Sequence, residues 1–174
     1  MSLTETGLTA QRRRRLPINN SIGGKMLQAS VTLARPASTQ RQFIAENNRG
    51  HHLIIDDPNG NTGPKPVDLV AIGLAGCTAF DVINILRKKR QHVTDYRVTI
   101  EADQASEPPQ VFTEVRIHHI ITGTDVSPEA VKDAIRLSEE KYCSVGAMVE
   151  KTAKIHATFE IIPVHSDIPA GMSR

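Results

Sequence analysis

Residues Pro64–Arg90 read PKPVDLVAIGLAGCTAFDVINILRKKR, the longest apolar run in the chain. Pro66 stands where proline is tolerated, in the first turn of a helix. Arg87, Lys88, Lys89 and Arg90 close the run with positive charge that complements the carbonyl end of a helix dipole. Between these ends the pattern is apolar on nearly every side, so the expected helix must be enclosed by protein or by lipid. The stretch Leu69–Leu86, at roughly 18 residues, is about long enough to cross a bilayer. Thr78, Asp81, Asn84 and two glycines inside it would be costly in hydrocarbon. We therefore expect the buried axis of a soluble protein rather than a membrane span. Gly73 and Gly76 each cost about 1 kcal/mol of helix propensity relative to alanine, and their expected return is close approach of a neighbouring backbone beside Cys77.

Upstream of this helix the period changes from 3.6 to 2. Leu27, Ala29, Val31 and Leu33 share one face and Gln28, Ser30 and Thr32 the other, the signature of a half-buried strand. Short strands are expected at Gln42–Ala45 and His51–Asp56, the second closed by the turn cluster Asp57–Gly60. Downstream, Tyr96, Val98 and Ile100 alternate with Arg97, Thr99 and Glu101, and Val111, Val115, Ile117 and Ile121 share a face. Pro108–Pro109 suits the loop between these two strands. Ser127 caps a helix that opens with Pro128 and Glu129, with Val131, Ala134, Ile135, Ser138 and Tyr142 as its inward stripe. The pattern breaks near Tyr142–Ser144, a short helix follows from about Cys143 to Lys151, and Ala153–Ile162 alternates as a last strand. The order βββ-α-ββ-αα-β argues an α+β fold with a largely antiparallel sheet. Residues 26–162 form the expected domain. Residues 1–25 read as a mobile Arg-rich extension, its first three residues a candidate tag remnant, and 163–174 as a tail.

Composition narrows the function. The chain has 174 residues, no Trp, four Phe and two Tyr, so its core is aliphatic. A net charge of +2 is too small to imply nucleic acid; the block Arg12–Arg15 could instead meet phosphate or an acidic partner, or simply be solvated. The basic block is followed by LPINNSIGG, which lacks the apolar core of a secretory signal, and a cytoplasmic protein is expected. In that compartment its two cysteines, Cys77 and Cys143, are poor candidates for a permanent staple, which leaves packing, metal or redox chemistry. The scattered histidines and the absence of CxxC do not match zinc-ligand spacings. Neither a nucleophile elbow nor a phosphate loop is present. Inside an apolar helix Cys77 has an inert reading as a small hydrophobe. Cys143 lies at a helix break, where the N–H groups of the next turn can favour a thiolate.

Taken together, PVDLVAIGLAGCTAFDVINILRK (Pro66–Lys88) and LSEEKYCSVGAMVEKTAKI (Leu137–Ile155) resemble the OsmC/Ohr family of osmotically inducible and organic hydroperoxide resistance proteins. The resemblance spans roughly Met26–Ile162. It is closest to the OsmC-like branch with a GGC-type first motif and a KYCSV second motif. It implies an OsmC-like fold in which strands of two chains wrap around two central helices as an intertwined homodimer. It also implies a peroxiredoxin-like thiol peroxidase, an organic hydroperoxide reductase of oxidative-stress defence. Cys77 would attack the hydroperoxide and become a sulfenic acid, and Cys143 would condense with it to a disulfide. An external lipoyl-type dithiol would restore the thiols, with no bound cofactor or metal.

In that family an arginine from the N-terminal hairpin, paired with a glutamate ahead of the first motif, activates the first cysteine. Here Val67 stands in the glutamate's place and Asp68 follows one position later, turned by about 100° on a helix. Asp68 is also placed to act simply as a first-turn acid. Arg35 and Arg41 are the candidate arginines. The departure keeps open an OsmC-like protein that binds a small apolar molecule or senses redox state with little peroxidase activity, and a structural dimer with inert thiols.

Overall fold

The computed structural model describes residues 26–37 and 39–164. The Arg-rich extension at 1–25 and the tail beyond 164 lie outside the described residues. The chain divides into two compact units that meet in sequence between Lys65 and Pro66.

The first unit is the meander β1 (Ala29–Leu33), β2 (Phe43–Asn47) and β3 (His52–Ile55), paired antiparallel in that order. The hairpin between β2 and β3 turns on Gly50, whose φ of +81° is open to glycine without strain. After β3 the chain folds over Asp56, which is 2% exposed. Its carboxylate accepts from Thr39 Oγ1 at 2.6 Å and from the Asp57 N–H at 2.8 Å, the satisfaction a buried charge requires. Val31, Ala45 and Leu53 stand in register across the three strands, as do Leu33, Phe43 and Ile55. The alternation read from β1 is therefore real, but its apolar face is not buried within one chain: Val31, Leu33 and Leu53 are all exposed.

The second unit opens with α1 (Pro66–Lys88), followed by β4 (His92–Gln104) and β5 (Phe112–Thr124). Next come α2 (Pro128–Leu137), a π-helical turn at Ser138–Tyr142, α3 (Ser144–Val149) and β6 (Lys154–Pro163). Ser127 caps α2 by accepting from the Ala130 N–H at 3.3 Å, as its sequence implied. The sheet runs β4-β5-β6, with β4 antiparallel to β5 and β6 parallel to it. That parallel pair departs from the otherwise antiparallel pattern because α2 and α3 form the crossover that parallel neighbours need. The central strand alternates cleanly, with Val115, Ile117, His119 and Ile121 buried.

One apolar cluster gathers Leu74, Phe112, Val115, Ile117, Cys143 and Val149. A second gathers Val82, Leu86, Ile121, Val131, Ala134 and Ile135. Helix α1 runs through both, and between them buries Thr78 where β5 buries His119. The candidate site forms around Thr78.

Two expectations fail on α1. Its fully buried residues are Leu74, Thr78, Val82 and Leu86, a single stripe at four-residue spacing, while Phe80 is 80% and Ile72 56% exposed. The helix is long and apolar enough to cross a membrane, yet it packs on β4, α2 and α3. Among the described residues nothing lies within 4 Å of a Cβ built on Gly73 or Gly76, so there these glycines face open space and not a neighbouring backbone.

Candidate active site

Cys77 and Asp81 are four residues apart on α1, so they share a helix face one turn from each other. The opposing residue arrives by a helix defect. The Cys143 N–H bonds the carbonyl of Ser138, five residues back, at 2.8 Å, closing a π-turn of the kind found at functional sites. The wider turn rotates the chain, so Tyr142 leaves the inward stripe and is 51% exposed, while Val131, Ala134, Ile135 and Ser138 remain buried. Cys143 then takes an extended backbone (φ −73°, ψ 95°) and caps α3, its Sγ accepting the Gly146 N–H at 3.2 Å.

This geometry brings Cys77 Sγ, Cys143 Sγ and a carboxylate oxygen of Asp81 within 4.8 Å of one another. Ser138 ties the group to its surroundings: its Oγ donates to Asp81 Oδ2 at 3.2 Å and lies 3.3 Å from Thr78 Oγ1. One hydroxyl carries one proton, so the Thr78 hydroxyl is left to donate in return. A cavity of about 250 Å³ opens beside Cys143, lined also by Leu74, Thr78, Ser138, Glu139 and Glu150.

The two thiols are not equivalent. Cys77 is half-buried and Cys143 is 5% exposed. Burial pushes the Cys143 thiol well above its ordinary value, and the hydrogen bond with Cys77 and the negative charge of Asp81 push it the same way. The Gly146 N–H opposes this. The helix start was expected to favour a Cys143 thiolate; its contribution is present, but desolvation outweighs it.

The remaining candidates are placed as follows. Asp68 is in the first turn of α1, nine residues before Cys77. On a helix that is about two and a half turns, roughly 13 Å along the axis and on the opposite side, so α1 does not bring Asp68 to the thiol of its own chain. In the first unit, Arg41 pairs with Asp57 at 3.2 Å. Arg35 is exposed at the bend after β1 and precedes Pro36 through a cis peptide bond. Sequence reasoning missed Asp81 as a site residue, although its i, i+4 relation to Cys77 was visible. Ser138 was read only as part of a packing stripe.

The family profile described as OsmC-like protein matches residues 58–158. The chain belongs to the OsmC-like family. Its relatives include the protein YhfA of Escherichia coli strain K12, 39% identical over 120 residues, which make up 69% of this chain and 90% of YhfA. Among solved structures, a hypothetical protein from Aquifex aeolicus VF5 superposes with a TM-score of 0.72 at 25% identity, over 82% of this chain and all of that one. An organic hydroperoxide resistance protein from Elizabethkingia anophelis, with a thiocyanate bound, gives a TM-score of 0.58 at 18% identity over 80% of this chain and 98% of its own. That last likeness is one of fold. The α+β architecture of this OsmC-like chain, with two three-stranded sheets and its helices, is the architecture of these neighbours.

Proposed function

We propose that the chain is a cytoplasmic thiol peroxidase that reduces organic hydroperoxides in oxidative-stress defence, with Cys77 as the attacking thiol and Cys143 as the resolving one. The observation that carries this reading is the meeting of the only two cysteines in the sequence, from elements far apart in the chain, with their sulfurs within 4.8 Å. The Cys77 thiolate attacks the peroxide, ROOH; the O–O bond breaks, one oxygen stays as the sulfenic acid and the other leaves as alkoxide, taking up a proton to become ROH. The Cys143 sulfur then displaces hydroxide from the Cys77 sulfenic acid, which departs as water with the Cys143 proton. Two thiols have lost two electrons and the peroxide has gained them. A lipoyl-type dithiol reverses the disulfide by exchange.

Burial suits the two roles. The exposed side of the pair belongs to Cys77, which must meet substrate, and the buried Cys143 keeps its proton until the sulfenic acid forms. Asp81 stands close enough to both sulfurs to relay that proton. Arg35 and Arg41 are the two candidates for the one arginine that would activate Cys77, and Asp68 is an initial-turn acid that its own helix does not bring to the sulfur.

The active form in this reading is a homodimer of the GGC/KYCSV branch. Its support is the set of large apolar side chains that each unit leaves exposed: Ile72 and Phe80 on α1, and Val31, Leu33 and Leu53 on the meander. Sedimentation should give twice the chain mass.

The test is turnover. Reduced protein with dihydrolipoamide should consume cumene hydroperoxide catalytically, and Cys77→Ser should abolish consumption. Turnover surviving in Cys77→Ser would overturn the assignment. A second reading rests on a separate apolar groove of about 510 Å³ lined by Pro66, Val67, Val70, Val111, Phe112 and Met148: an OsmC-like module that holds a small hydrophobic molecule. Ligand co-purifying with wild type and Cys77→Ser alike, without turnover, would select it.

A further inference from the structure

Beyond the thiol pair itself, the site presents three metal-binding side chains from two directions. Cys77 and Asp81 face the same way from one helix, and Cys143 closes on them from the start of α3, with all three ligand atoms within 4.8 Å of one another. We propose that the reduced site binds one thiophilic divalent cation, of which zinc is the type, through Cys77 Sγ, Cys143 Sγ and Asp81.

The donor set decides the class. Two thiolates select soft or borderline metals over magnesium and calcium, and the carboxylate is a common third ligand for zinc. Tetrahedral bonds of about 2.3 Å to sulfur and 2.0 Å to oxygen place neighbouring ligand atoms roughly 3.5–3.8 Å apart. The present spread, within 4.8 Å, exceeds that by about 1 Å at most. The outer partner that a metal-bound carboxylate needs is already there, because Ser138 Oγ donates to Asp81 Oδ2 at 3.2 Å. Charge favours the cation as well. Two thiolates and Asp81 would face it, and the charged residues lining the cavity beside Cys143 are Glu139 and Glu150, both acidic. The cavity beside Cys143 leaves the fourth position open to water or another small ligand, the arrangement of three protein ligands plus one exchangeable position. The sequence spacing rules miss this site because its ligands come from an i, i+4 pair and a distant helix cap, not from CxxC or HxxxH.

Binding releases the thiol protons and occupies both sulfurs. The metal-bound form therefore resists peroxide, and a Cys77–Cys143 disulfide would remove two of the three ligands. The inference does not depend on the peroxide reading: the site can hold metal whether or not it turns over hydroperoxide.

Anaerobic titration of the reduced full chain with Co2+ tests it, since cobalt reports thiolate ligation and tetrahedral geometry in its absorption where surface imidazoles do not. We expect one Co2+ per chain with a sulfur-to-cobalt charge-transfer band, displaced by Zn2+. One equivalent of Zn2+ should also slow iodoacetamide modification of both thiols by at least tenfold, a readout that needs no variant. Asp81→Asn should weaken binding roughly tenfold or more, the scale on which even outer partners of a metal ligand are felt. The proposal is overturned by absence of the charge-transfer band at stoichiometric Co2+, by equal alkylation rates with and without Zn2+, or by unchanged affinity in folded Asp81→Asn.

Discussion

Acidification from pH 7 to pH 4 should destabilise this protein through one buried side chain, His119. Its ring is fully buried on β5 and stacks on Tyr96, with centroids 6.0 Å apart. Tyr96 Oη lies 2.6 Å from His119 Nδ1. Burial pushes the Tyr96 phenol well above its usual range, so it keeps its proton, and we assign that proton to the bond with Nδ1. The imidazole proton then sits on Nε2, which has no hydrogen-bond partner among the described residues. A second proton would have to enter at Nδ1, reversing the Tyr96 bond so that the phenol oxygen accepts, and would place a positive charge on a fully buried ring. Burial, with a smaller contribution from His118, accordingly lowers the His119 pKa from 6.5 to about 4. Between those values the unfolded chain binds a proton that the folded one refuses, so stability falls as pH drops through the window and stops falling, for this group, near pH 4. A shift of this size corresponds to about 3 kcal/mol at 1.36 kcal/mol per pH unit. The assay is urea denaturation of wild type and His119→Gln at fixed protein concentration from pH 7.5 to 4. Glutamine removes the titration and retains an acceptor for Tyr96, and the difference between the two profiles cancels the surface carboxylates. We expect the stability difference between wild type and variant to move by about 3 kcal/mol across the window, all of it in the wild-type profile. Parallel profiles would refute the reasoning.

Gly146→Ala places a Cβ 3.2 Å from Cys143 Sγ and 3.8 Å from Leu74 Cδ1; it should slow disulfide formation several-fold in stopped-flow alkylation while changing global stability by no more than about 1 kcal/mol. Leu86→Ala empties a fully buried position in the second cluster and should cost about 2–5 kcal/mol in denaturant unfolding. Because Leu86 lies more than two turns of α1 from Cys77, the thiol chemistry should persist below the unfolding transition.

Much of the architecture was legible because its signals are local. The 3.6 and 2.0 periods gave the element order, and Ser127 with Pro128 located the start of α2 to the residue. Three features were not legible, each for a different reason. The parallel pairing of β6 with β5 depends on where the helical crossover returns the chain, which no strand records in its own residues. The π-turn at Ser138–Tyr142 comes from hydrogen bonding across five residues, as from the Cys143 N–H to the Ser138 carbonyl, which displaced Tyr142 from the stripe that 3.6-residue spacing assigned it. Burial was overestimated on α1 and β1 because apolarity marks a surface that needs covering but does not say which chain covers it; Phe80, Val31 and the open space at Gly73 and Gly76 belong to that class. At the site, the motifs pointed to Cys77 and Cys143, while Asp81 was passed over as a polar blemish in an apolar helix.

The central claim is that Cys77 and Cys143 react with each other through an oxidised Cys77. It is tested most directly by treating the reduced protein with one equivalent of cumene hydroperoxide, then alkylating and mapping the peptides by mass spectrometry. The account predicts a single intramolecular Cys77–Cys143 disulfide, and in Cys143→Ser a sulfenic acid trapped at Cys77 by dimedone. Two freely alkylated thiols, or oxidation confined to Cys143, would contradict it.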